Sequence, residues 1–212
     1  MSTWNQPIET IFRDCTFRGD KTDVLISNDA NARLLNCTFE AGARLQLQSS
    51  SVGEIEDCKF VGGHGIAVVS GSRVQMDRIR VGASETIALQ IVDSGHVTGS
   101  NNWFQGGQLA TILVHGNSQA KLDSCTILNV AGPTVEVLSN AAPGMVVDLR
   151  NNWWGTTEIA QISAWIQDGS DDPDRGSQVL FEPILQQSVA TPARSLSELK
   201  SLFADGQKRI PE

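Results

Sequence analysis

The stretches FRDCTF (12–17), LLNCTF (34–39) and IEDCKF (55–60) share one pattern. Four more copies follow: MDRIRV (76–81), GSNNWF (99–104), LDSCTI (122–127) and LRNNWW (149–154). Each copy runs apolar or small, two mostly polar, small or apolar, outward, then large apolar. Successive copies start 22, 21, 21, 23, 23 and 27 residues apart. A period of this length marks a stacked repeat architecture.

A second alternating run follows each copy but the last: VLIS (24–27), RLQLQ (44–48), GIAVV (65–69), IALQI (87–91), TILVH (111–115) and TVEVL (134–138). Period-two alternation is the mark of a strand with one buried face. Gly62-Gly63, Gly106-Gly107 and Ala131-Gly132-Pro133 mark turns between the runs. Short strands without a helical return exclude a leucine-rich repeat and predict a coiled parallel β-solenoid. Stacked coils bring equivalent residues about 4.8 Å apart, so columns can be read off directly.

The deepest column is Phe17, Phe39, Phe60, Val81, Phe104, Ile127 and Trp154. Two residues earlier runs Cys15, Cys37, Cys58, Ile79, Asn102, Cys125 and Asn152. The second corner residue is Asp14, Asn36, Asp57, Asn101 or Asn151, types that tolerate a left-handed backbone. All four cysteines share the inward column, so they read as small buried hydrophobes rather than disulfides. With no CxxC and no histidine at ligand spacing, no zinc site is expected.

Composition narrows the partners. Twenty-four acidic against sixteen basic residues give a net charge of −8, which argues against nucleic acid. No apolar run is long enough for a membrane-spanning helix. The start MSTWNQPIET lacks signal-peptide features. As written, the chain is expected in the cytoplasm, or outside the cell or in the periplasm if it is a fragment of a longer precursor.

The NCTF-type corners, closing in NNWWGT (151–156), DDP (171–173) and FEPIL (181–185), resemble the pectin-lyase-like superfamily of right-handed parallel β-helix proteins. The resemblance covers residues 8–187. It implies an all-β, right-handed parallel β-helix solenoid of about seven coils, with a C-terminal helical cap and a short helical tail. The closing motif is typical of bacterial β-helix repeat proteins. The expected division is coils over 1–157, cap over 158–187 and tail over 188–212. Within the cap, 158–166 reads as an amphipathic helix with Ile159, Ile162 and Ile166 on one stripe. In the tail, Ser195 and Glu198 form a capping box ahead of Leu196, Leu199, Leu202 and Phe203.

The superfamily holds lyases, hydrolases, epimerases, adhesins and accessory proteins, so fold alone leaves function open. The first expectation is a non-catalytic binding or assembly module with a polysaccharide as candidate ligand, stacked on the outward Trp103 and Trp153. The alternative is a small carbohydrate-active enzyme using the solenoid face. Its candidates are Glu56, Asp57, Asp77 and Arg80, with Arg78 beside them, and His64 in the GGHG turn. Paired carboxylates are the minimum for glycoside hydrolysis. The polygalacturonase motifs that the resemblance would bring are incomplete, since no Asn-Thr-Asp occurs. No cofactor is expected; the acidic run 168–176 is a candidate calcium loop without the bidentate glutamate. Before Phe12 only Trp4 and Ile8 are placed to cover the first coil, so association with a second copy or a partner through that coil is also expected.

Overall fold

Each repeat period supplies three strands rather than two, because the corner motif itself bends one run into two sheets. The computed structural model describes residues 9–19, 23–138, 145–175 and 177–189. The first coil holds β1 (Glu9–Arg13), β2 (Thr16–Arg18) and β3 (Asp23–Ile26); the second holds β4 (Asn31–Leu35), β5 (Thr38–Glu40) and β6 (Arg44–Leu47). The third holds β7 (Val52–Glu56), β8 (Lys59–Gly63) and β9 (Ile66–Val68). The fourth holds β10 (Arg73–Asp77), β11 (Arg80–Ser84) and β12 (Ile87–Ile91). The fifth holds β13 (His96–Ser100), β14 (Trp103–Gln105) and β15 (Ala110–Val114), and the sixth β16 (Gln119–Asp123), β17 (Thr126–Leu128) and β18 (Val135–Val137). After them come β19 (Val147–Asp148), helix α1 (Ile159–Ala164), β20 (Ile166–Gln167) and β21 (Val179–Leu180).

Strands stack in three parallel sheets. The first runs β1-β4-β7-β10-β13-β16-β19-β21, the second β2-β5-β8-β11-β14-β17, and the third β3-β6-β9-β12-β15-β18-β20. Six turns are complete, and the seventh is partial, its second-sheet part reduced to a bridge between Thr126 and Trp153.

The predicted columns are in register: Phe17 opposes Phe39, which opposes Phe60. Their rings stack at 4.8 Å and 4.3 Å between centroids. Phe39, Phe104, Ile127 and Trp154 are buried, each worth roughly 2 kcal/mol or more of hydrophobic stabilisation.

The corner residue is left-handed at Asp14, Asn36, Asp57, Arg78, Asn101, Ser124 and Asn151, with φ between 51° and 57°. Arg78 and Ser124 extend the set predicted from the Asp and Asn column. The corner from the third sheet back to the first went unread. It turns on left-handed pairs, Asn28-Asp29, Ser49-Ser50, Ser70-Gly71 and Asp93-Ser94, followed by a small residue. At Gly95 that residue admits no Cβ, which would stand 2.4 Å from the Val68 carbonyl oxygen.

The column beside the corner is a polar ladder as well as packing. Each thiol donates to the carbonyl two residues back: Cys15 to Arg13, Cys37 to Leu35, Cys58 to Glu56 and Cys125 to Asp123, at 3.1–3.5 Å. The side chain of one coil also accepts the column N–H of the coil before. Cys58 Sγ takes Cys37 N–H at 3.3 Å, Asn102 Oδ1 takes Ile79 N–H at 2.9 Å, and Asn152 Oδ1 takes Cys125 N–H at 2.7 Å. All four thiols are free; Cys37, Cys58 and Cys125 are buried and Cys15 is partly so.

The cap continues two of the sheets: β20 pairs with β18, and β21 with β19. The helix is shorter than the expected 158–166. Ile162 is buried, but Ile159 is exposed and Ile166 belongs to β20, because that residue completes the third sheet instead of prolonging the helix. Phe181 closes edge-on against Trp154 at 6.2 Å. Beyond the cap, Ser188 and Val189 lie on Thr126 of the second sheet. The tail helix expected around 195–206, and Trp4 and Ile8, lie outside the described residues.

Two outcomes test the ladder. Asn152→Leu keeps much of the volume but strands buried Cys125 N–H and removes a donor from the carbonyls of Leu122 and Leu149. It is expected to cost about 3 kcal/mol in urea unfolding; a loss below about 1 kcal/mol contradicts the ladder. Burial pushes Cys58 and Cys125 up to about 12, from the ordinary 9.0. As pH rises, the unfolded chain releases these protons first, so their contribution is complete below about pH 8.5 and falls toward about pH 12. The loss of thermal stability between about pH 8 and 10 is expected to be smaller in Cys58→Ala/Cys125→Ala than in the parent; equal slopes exclude these thiols as the cause.

Candidate functional site

The alternation that buries one side of the first sheet sets out two ladders on the other. Strand registers align Glu54, Gln75, Thr98 and Lys121 in one row. Glu56, Asp77, Ser100 and Asp123 align in the next. Three strand spacings, roughly 14 Å, separate the ends of each row. The fifth coil contributes the short Thr98 and Ser100 between longer neighbours, and the surface dips there. The result is a groove of about 670 Å³ lined by both rows and Asn101.

Charge concentrates at one wall. Arg78 leaves the left-handed corner and reaches three carboxylates on two coils: Glu56, Asp57 and Asp77. Its Nε donates to Asp57 Oδ1 at 2.8 Å. The hydrogen bond to Asp57 holds the guanidinium above its ordinary range, against partial loss of hydration. Asp77 also accepts from Ser100 Oγ at 3.2 Å and Asn101 Nδ2 at 3.1 Å. A long charged side chain is an unusual choice at φ 54°, where Asp, Asn or Ser stands in the other coils. Its cost is balanced by gathering three like charges that would otherwise repel.

The structure therefore brings Glu56, Asp57 and Asp77 together but separates Arg80 from them. Two residues past the corner, Arg80 opens β11 and faces out from the second sheet. There its guanidinium carbon lies 4.4 Å from the Trp103 ring centroid. His64 is also apart: its Nδ1 sits 3.4 Å from Thr86 Oγ1 at the turn between the second and third sheets. A second depression of about 530 Å³ opens at that turn, lined by Glu85, Thr86, Gln105 and Gln108.

Trp103 and Trp153 are both partly buried. Arg80 covers the Trp103 ring, and a Cβ on Gly82 would touch that ring at 3.4 Å. Thr126 stands between the two tryptophans in register, itself only 1% exposed beneath Ser188 and Val189. The two indoles do not form one continuous platform.

In the acidic run 168–176 the carboxylates hold the loop's own donors. Asp168, 3% exposed, accepts Ser170 N–H at 2.8 Å and Val179 N–H at 2.6 Å. Arg175 donates to the Val137 carbonyl at 2.7 Å and lies 3.9 Å from Asp172. Among the described residues, no group of three or more His, Cys, Asp or Glu is arranged to hold a metal. No described helix is long and apolar enough to cross a membrane.

Sequence reasoning missed Glu54, Gln75, Thr98, Ser100, Lys121 and Asp123 as a surface. The signal was there: VGEIE, RVQMD, HVTGS and QAKLD alternate just upstream of each corner. Aligning those runs predicts the two rows.

Arg78→Asn keeps a residue suited to the corner but leaves Glu56, Asp57 and Asp77 unneutralised. A loss of about 1 kcal/mol is expected near neutral pH at low salt. It shrinks at high salt. An equal loss in chemical denaturation at low and high salt means that Arg78 acts by packing instead.

Comparison with known proteins agrees with this architecture. Residues 3–153 match the family model described as right handed beta helix region. No curated protein and no solved structure matches the chain. Three parallel sheets with regular corners, and a family match over most of the chain, carry the same conclusion: this protein belongs to the right-handed β-helix family.

Proposed function

We propose that this chain is a non-catalytic β-helix module that binds a polysaccharide along the outer face of its first sheet. The observation that carries the reading is the groove over the third to sixth coils, floored by Thr98 and Ser100 and walled by longer polar side chains. Hydroxyl, amide and carboxylate groups at strand spacing offer repeated hydrogen-bond partners to an extended chain of hydroxyls. The carboxylates with the best claim to acid–base work, Glu56, Asp57 and Asp77, all converge on Arg78. The guanidinium stands among the three carboxylates and engages each of them. That favours binding over the lyase, hydrolase or epimerase alternative.

The test pairs retention on a panel of immobilised polysaccharides with reducing-end and unsaturated-product assays on the same panel. The expected result is retention of at least one polysaccharide without product. Thr98→Trp, which fills the groove from an exposed position, should weaken retention about tenfold or more, with thermal stability unchanged. Product release by the parent chain, abolished in Glu56→Gln or Asp77→Asn, establishes the enzyme instead.

A further inference from the structure

We infer that the groove on the first sheet takes a polysaccharide free of carboxylate and sulfate groups, and prefers one that carries amines; this rests on the binding reading above. Four carboxylates line it, Glu54, Glu56, Asp77 and Asp123, against a single ammonium, Lys121. Two of the neighbouring guanidinium groups are already engaged, while Arg73 stands in the adjoining row of the same face. Arg33 pairs with Glu54 at 2.9 Å and approaches Glu9 at 3.9 Å. Arg78 is divided among Glu56, Asp57 and Asp77. One guanidinium against three carboxylates leaves that wall with a formal charge of +1 − 3 = −2. Lys121 lies in register with Asp148, whose carboxylate is already held by Arg150 at 2.7 Å, so Lys121 remains the one cation that faces the groove among its lining residues.

A polyanion laid along the rows meets this excess at the third and fourth coils, in a concave site where charges are less screened than in open water. The chain's net charge of −8 adds repulsion at longer range. Neutral hydroxyls instead donate to the carboxylates, and these are the stronger class of hydrogen bond. An ammonium on the sugar does so with full charge. Gln75, Thr98, Ser100 and Asn101 supply the uncharged contacts between. Electrostatics here sets which polymer is admitted more than how tightly it is held.

Titration calorimetry decides the point with three soluble hexasaccharides: glucosamine, glucose and galacturonate units, at about pH 6 and two salt concentrations. The glucosamine hexamer is expected to bind best and to weaken with salt; the galacturonate hexamer is expected to bind at least about tenfold more weakly than either. Asp123→Lys should narrow or reverse that order. Thr98→Trp should remove binding of the preferred hexamer. Galacturonate binding as tight as the others, lost in Thr98→Trp, overturns the charge inference and leaves the groove as the binding site. Glucosamine binding that survives Thr98→Trp lies outside the groove and overturns the inference. No binding of any of the three overturns the groove reading along with it.

Discussion

In the three sheets, the strand hydrogen bonds run from one coil to the next. That single constraint governs the rest. A coil cannot rise faster on one side than on another without breaking a sheet, so the two corners that flank the first sheet turn in the same few residues through the first five coils, and the turn between the second and third sheets absorbs the differences in length. The left-handed residue from Asp14 to Asn151 meets this requirement once per coil, and the left-handed pairs such as Ser49-Ser50 meet it again. The backbone N–H at the inward column is left facing along the axis, and Cys58, Asn102 and Asn152 accept it from the next coil. Packing and polar satisfaction are thus solved by the same side chains.

The same axial constraint explains how a surface of stacked rows becomes a site. Outward residues cannot choose their neighbours, since register places each one over its counterpart in the adjacent coil. Like charges in one row would repel, and the chain answers with Arg33 near Glu9 and Glu54, and Arg78 among Glu56, Asp57 and Asp77. Where a coil carries small residues, the row sinks, as at Thr98 and Ser100. A groove on this fold needs no long loop. It follows from residue size along a column.

The ends are a different problem, because the last coil has strand edges and a cut core. At the C-terminal end, β20 and β21 each add a strand to a sheet, while Ile162 and Phe181 close on the apolar interior. Asp168 ties this segment down by accepting N–H groups at both ends of its loop. Arg175 joins the same loop to the sixth coil through the Val137 carbonyl and stands 3.9 Å from Asp172.

The sequence by itself determined the architecture, since stacking makes each column a visible repeat. The aromatic column, the cysteine column and the Asp or Asn corners were legible because each depends on residue type at a period near 22. The cap was legible as a role but not in its detail: Ile166 alternates like a helix residue yet joins a sheet, which only the presence of β18 beside it decides. The groove and its charge were decided by tertiary structure. Arg78 and Arg80 are two residues apart in the chain, and by sequence Arg80 belongs to the candidate set with Glu56, Asp57 and Asp77, with Arg78 only beside them. The corner between them turns one toward the carboxylates of the first sheet and the other onto Trp103 of the second. Sequence proximity carries no information about that division, because a left-handed corner changes the face on which a side chain stands.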